Sequence, residues 1–131
     1  MSIVNDVLEV VLQLINSLGL FKPAILGPLT PEPGIAVMLG PSNPETVYMS
    51  KDAYLYLDIT LNGRHSNLWL LTGDMNRIHS GLTRAKKYAE GQGWEIVDIT
   101  TQTLPQVIDR EPNNDWLMAS SLIVKVYQTA E

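Results

Sequence analysis

Tyr54-Leu55-Tyr56-Leu57-Asp58-Ile59-Thr60-Leu61-Asn62 alternates with a period of two. Leu55, Leu57, Ile59 and Leu61 point to one side of an extended chain, and Tyr54, Tyr56, Asp58, Thr60 and Asn62 to the other. The stretch reads as a β-strand with one buried face. The opposite face pairs two tyrosines with small polar groups, a surface both apolar and able to hydrogen-bond, of the kind a partner protein covers.

Outward from this strand, residues 35–39 form a short apolar strand. Gly40-Pro41-Ser42-Asn43-Pro44 reads as a turn, and residues 46–49 return as the second arm of a hairpin. Ser50-Lys51-Asp52 then turns into the tyrosine strand. Residues 23–34 hold four prolines and two glycines and read as an ordered connection, anchored by Ile25, Leu26 and Leu29. Before it, Val7, Leu8, Val11, Leu14, Ile15 and Leu18 recur at helical spacing, with Asn5 or Asp6 at the start and Gly19 as a left-handed stop.

On the C-terminal side, a loop with Arg64 and His65 leads to an apolar patch at residues 68–71. A second helix follows, with Met75, Ile78, Leu82, Ala85 and Ala89 on one face, Thr72 or Asp74 as its cap, and Gly91-Gln92-Gly93 as its end. Residues 94–100 are a strand rich in β-branched side chains. Residues 116–127 contain the last strand, with Leu122, Val124 and Val126 inward and Ile123, Lys125 and Tyr127 outward. Residues 101–115, polar and broken by Pro105 and Pro112, read as a long contact-making loop. The order α-β-β-β-α-β-β predicts an α+β fold: a two-layer sandwich, its mainly antiparallel sheet of four to five strands covered on one face by two helices.

The 131 residues fit one domain spanning 1–131. The absence of cysteine excludes disulfides, thiolate metal sites and cysteine nucleophiles. A net charge of −5 argues against non-specific nucleic-acid binding, which needs clustered Lys and Arg. The N-terminal apolar run carries Asp6 and Glu9 and lacks the basic start of a signal peptide. It is too short to span a bilayer, so a soluble chain is expected.

No residue pattern announces chemistry. His65 and His79 have no histidine neighbour at metal-pair spacing and read as ordinary surface or boundary residues. Residues 72–76 lack the ligands of a calcium loop and the lysine of a phosphate loop. Asp109, Glu111 and Asp115 read as a solvated acidic loop. Ser66, Ser120 and Ser121 lack a glycine-framed elbow. No catalytic residue, cofactor or metal site is expected. Interface candidates are Tyr54, Tyr56, Lys125 and Tyr127 on the open sheet face. Arg77, Arg84 and Lys87, with Lys86 adjacent, form a basic stripe along the second helix that reads first as a solvated face and otherwise as a contact with an acidic neighbour.

Taken together, Leu18-Gly19-Leu20, then Gly27-Pro28-Leu29-Thr30-Pro31-Glu32-Pro33, the strand at 34–37, a strand at 55–61, a helix with Ile78, Leu82 and Ala85, and a last strand at 121–127 resemble the phage minor capsid proteins similar to tail terminators of long-tailed phages. The resemblance rests on element order and spacing over most of the chain. It implies a non-enzymatic virion protein assembled in the host cytoplasm as a homo-oligomeric ring, commonly a hexamer. Such a ring caps the tail tube and meets the head connector. A head-completion or connector component of the same particle is an alternative. So is a ligand-binding or enzymatic α+β domain, with its site between the sheet and the long loop near Trp94 and Trp116.

Overall fold

Alternation along residues 54–62 extends into one strand of 13 residues, and the rest of the molecule is arranged around it. The computed structural model describes residues 3–40, 43–47, 53–85 and 87–128. In order these form α1 (Ile3–Asn16), β1 (Ile25–Leu26), β2 (Gly34–Leu39), β3 (Asn43–Val47), β4 (Ala53–His65), α2 (Leu68–Thr83), β5 (Glu90–Gly91), β6 (Trp94–Arg110) and β7 (Trp116–Gln128). The strands make one sheet in the order β1-β2-β4-β7-β6-β5, with β3 also on β4. Only β1 and β2 pair in parallel, so the sheet is mixed and has more strands than expected.

Among the described residues, the predicted hairpin between residues 35–39 and 46–49 does not form. β2 pairs with β4 from Ile59 to Arg64, and β3 pairs with β4 from Ala53 to Tyr56. Both run antiparallel to β4 along the same edge, so they are successive lengths of one margin rather than the two arms of a turn. Gly40 marks the break: its N–H donates to the Asp58 carbonyl at 2.6 Å, and a Cβ there would lie 2.8 Å from Thr60 Oγ1. The expected turn at residues 50–52 lies outside the described residues, as do residues 48–49 and Lys86.

β4 and β7 keep the faces the alternation assigns. Leu57, Ile59 and Leu61 of β4, and Leu122, Val124 and Val126 of β7, are buried in the core. α2 packs over β4, β6 and β7, and α1 lies against α2, adding Val7, Val11 and Ile15 to the same core. The half-buried Val4, Val10 and Leu12 also pack against it, which explains the broad apolar surface of α1. Gly19 stops α1 with φ 74°, while Asn5 and Asp6 lie inside its first turns rather than before them. Gly63 lets α2 approach β4: a Cβ there would sit 2.7 Å from Leu71 Cδ1 and 3.2 Å from Met75 Sδ. After α1 the Asn16 side chain clamps the connection at Ala24: its Oδ1 accepts from Ala24 N at 2.7 Å and its Nδ2 donates to Ala24 O at 3.3 Å. Ala24 is the buried anchor of this connection; Ile25 and Leu26, expected to anchor it, are exposed.

α2 begins earlier and ends earlier than predicted. Asn67 is its N-cap, with Oδ1 accepting from Leu70 N, so the apolar patch at residues 68–71 is the first helical turn. Residues 72–76 are mid-helix, and neither Thr72 nor Asp74 caps anything. The helix closes at Thr83, so Ala85 and Ala89 are not on it, and the 91–93 glycine cluster instead turns β5 into β6.

The predicted loop at residues 101–115 is mostly strand. β6 runs through Arg110, paired with β7 across register shifts at 96/98, 101/103, 103/106 and 107/109. Pro105 falls within the third shift, on a strand whose other edge is open beyond Ile96, where proline costs no ladder bond. Only residues 111–115 form a turn. Glu111 N donates to Asp115 O at 2.7 Å, and Arg64 pairs with Glu111 at 3.2 Å and Asp115 at 3.8 Å. Glu111 and Asp115 are thereby fixed to β4 and are not a solvated acidic loop; Asp109 stays exposed.

Candidate functional site

Antiparallel pairing of β4 with β7 sets Tyr54 opposite Tyr127 and Tyr56 opposite Lys125. All four side chains fall on the sheet face away from the helices, because they alternate with half-buried Leu55 and buried Leu57, Val124 and Val126. The Tyr54 and Tyr127 rings meet edge to face, with centroids 5.2 Å apart and planes at 84°. Lys125 Nζ stands 4.5 Å from the Tyr54 centroid and 5.8 Å from that of Tyr56. A cation shared by two ring faces at a half-exposed site contributes about 0.5–1 kcal/mol. Its larger effect is to hold three phenols and an ammonium in one orientation, ready to meet a surface without further ordering.

Beyond this patch the same face becomes polar. Asp58, Thr60, Gln102, Thr103, Gln106 and Ser121 line an open hollow of about 330 Å³, in which Ser121 Oγ donates to Gln102 Oε1 at 3.1 Å. Burial raises the pKa of Asp58 above the usual carboxylate value. The hollow is shallow and holds no imidazole.

His79 is on the other side of the sheet, and the expectation of a surface or boundary histidine is wrong. It is buried between α2 and the β6–β7 hairpin, with Nδ1 2.8 Å from Thr101 Oγ1 and Nε2 2.8 Å from Ser120 Oγ. Each ring nitrogen has a single hydrogen-bonding position, so one donates, the other accepts, and the imidazole is fully used. Burial lowers its pKa and keeps it neutral. His65 is at the end of β4, where its ring meets Phe21 edge to face at 4.9 Å and Nδ1 accepts from Asn67 N.

The basic residues predicted on one helix face are not brought together. Arg77 is within α2, paired with Asp74 at 3.5 Å and donating to Gly19 O at 3.1 Å; buried Asp74 in turn accepts from Phe21 N at 2.7 Å. This group ties α2 to the end of α1. Arg84 is the C-cap and Lys87 lies beyond the helix, both exposed. Trp94 and Trp116, near which the sheet-and-loop site of the alternative reading was expected, are not brought together. Trp94 pairs with Gln128 and Trp116 with Arg110, so the two are at opposite ends of the hairpin, about 40 Å apart at strand rise. Trp116 instead packs under Arg110, whose guanidinium is 4.5 Å from the ring centroid.

Among the described residues no group of three His, Asp or Glu side chains is placed to hold a metal ion, and no helix is long and apolar enough to cross a membrane. No protein-family model and no curated protein matches the chain. Among solved structures, it is similar to a chain of the virion of the native gene transfer agent particle, with a TM-score of 0.59 at 14% identity, covering 91% of this chain and 92% of that one. At that identity the likeness establishes a shared fold over nearly the full length of both chains.

Proposed function

We propose that this chain is a non-enzymatic structural protein of a phage-like virion, of the tail-terminator kind: a subunit of a ring that ends the tail tube and meets the head connector. The observation that carries the reading is the end-to-end match in fold to a chain of a gene transfer agent virion. The preordered tyrosine–lysine patch supports it, since side chains already held by one another lose little freedom when covered. The net charge of −5 suits a particle component that DNA passes without sticking.

In this reading the face carrying Tyr54, Tyr56, Lys125 and Tyr127 is covered by a neighbouring protein of the particle. Tyr56→Asp tests it by placing a carboxylate at the centre of the contact while leaving the core untouched. The variant is expected to melt like the parent and to be lost from assembled particles when it replaces the parent during their production. Normal incorporation would remove this face from the contact.

A further inference from the structure

The sheet has two free margins that differ in shape. On the first, β1 covers β2 only at Ala36 and Val37, so Met38 and Leu39 continue past it, and Ile25, Leu26, Met38 and Leu39 are all exposed. Beside them is a notch of about 150 Å³ lined by Pro23, Ile25, Leu29 and Pro33, with Lys22 and Glu32 paired at its rim at 3.7 Å. The second margin is the open edge of β6, where Leu104, Val107 and Ile108 are exposed. Trp69 lies on the flank of α2 turned toward the β7–β6 side of the sheet. It precedes Thr72 by three residues and so shares its helix flank; Thr72 Oγ1 touches Met118 Sδ at 3.5 Å, and Met118 is the cross-strand partner of Val107. Trp69 is 88% exposed, whereas β4 and β7, between the margins, carry no exposed large apolar side chain.

One margin therefore projects and the other recedes. Two unlike apolar surfaces on opposite sides of one chain are the arrangement of a heterologous contact, in which copies join head to tail and close into a ring or extend into a filament. We infer that the occupant of each margin is a second copy of this chain: Trp69 and the β6 edge of one copy seat against the notch and β1 of the next. This rests on the proposed ring and names the surfaces that build it. Area and charge both favour that occupant. At roughly 190 Å² for a fully exposed large side chain, the eight apolar residues expose about 800 Å², the apolar share of a standard interface of about 1,400 Å². The second margin also carries exposed Asp98 and Asp109, which like-with-like pairing would bring together, while the rim of the first holds Lys22 and Glu32 as a neutral pair. Pro105 and the bulges around it interrupt the β6 ladder, so side chains rather than a continued sheet make the contact.

Light scattering on the purified chain and its variants tests this. The parent is expected to form a discrete oligomer. Trp69→Ser and Ile25→Asp, each at an exposed position, should both give monomers with unchanged melting. Mixed in equal amounts they should give a species of twice the monomer mass and nothing larger, because each retains the margin the other has lost. Leu104→Ser and Leu26→Ser repeat the test at neighbouring positions. If each variant keeps the parent's oligomer, or if the mixture stays monomeric, the margins are not the contact, though the ring could still stand on another surface. A parent that is monomeric at every concentration overturns both.

Discussion

His79→Phe removes a ring buried at the centre of the α2–sheet contact and replaces it with one of similar size but without nitrogens. Thr101 Oγ1 and Ser120 Oγ each lose a partner at 2.8 Å. Ser120 is buried, whereas Thr101 is half-buried and can turn toward water. A stranded buried hydroxyl costs about 1–3 kcal/mol and a solvated one much less, so the variant should lose about 2–3 kcal/mol of stability. His79→Ala adds a cavity and should lose about 3–5 kcal/mol, a large part of the 5–15 kcal/mol typical of a domain. Adding Ser120→Ala to His79→Phe removes the stranded hydroxyl, so the double variant should be more stable than the sum of the singles predicts by about 1 kcal/mol or more. Urea titrations at pH 7.5, followed by tryptophan fluorescence, measure the parent, the three single variants and the double variant. The pH dependence gives a second readout. Burial holds the native His79 pKa below its ordinary 6.5. As pH falls below 6.5 the unfolded chain takes up a proton that the native state refuses, so stability is full above 6.5 and declines through the interval down to the lowered value. His79→Phe should lack that decline. Strict additivity with Ser120→Ala, or a cost below about 0.5 kcal/mol, would refute the saturated buried network.

Other substitutions test the supports of the fold. Gly63→Ala puts a methyl against the fully buried Leu71 and should cost about 1–3 kcal/mol, with Gly63→Val costing more; an unchanged melting temperature for Gly63→Val would mean α2 is not seated there. Arg64→Ala leaves Asp115 buried without its cation and should cost about 2–3 kcal/mol, below the figure for a fully dry pair because Glu111 is partly solvated. It should also speed amide exchange across residues 111–117, which a merely decorative pair would not affect. Asn16→Ala removes both bonds to Ala24 and should cost about 1 kcal/mol in urea titration.

The strands with one wet and one dry face were readable because alternation records that difference directly: Leu57 to Leu61 and Leu122 to Val126 kept the faces their spacing assigns. β6 past Thr101 was not readable, because from Thr103 to Arg110 neither face is deeply covered and no alternation is imposed. Polar composition and Pro105 then imitate a loop. The stretch around Gly40 hides its structure for a related reason. A break between successive lengths of one margin shares its composition with a turn, and only pairing with β4 separates them. The burial of His79 has a signature in the helical spacing. Leu71, Met75, Ile78 and Leu82 define a buried stripe in which position 79 belongs by angle, and a polar residue on such a stripe must find partners. Of the candidate site, the four sheet residues came together because strand parity and one pairing sufficed to place them. The basic trio did not, because the helix end at Thr83 is set by tertiary contacts, including the Tyr88 hydroxyl donating to Leu82 O.

Whether this molecule is an assembly subunit is decided most directly by its mass in solution. Light scattering across a wide concentration range should give a discrete multiple of 14.6 kDa that persists on dilution into the micromolar range. A constant mass of one chain at every concentration would contradict the account.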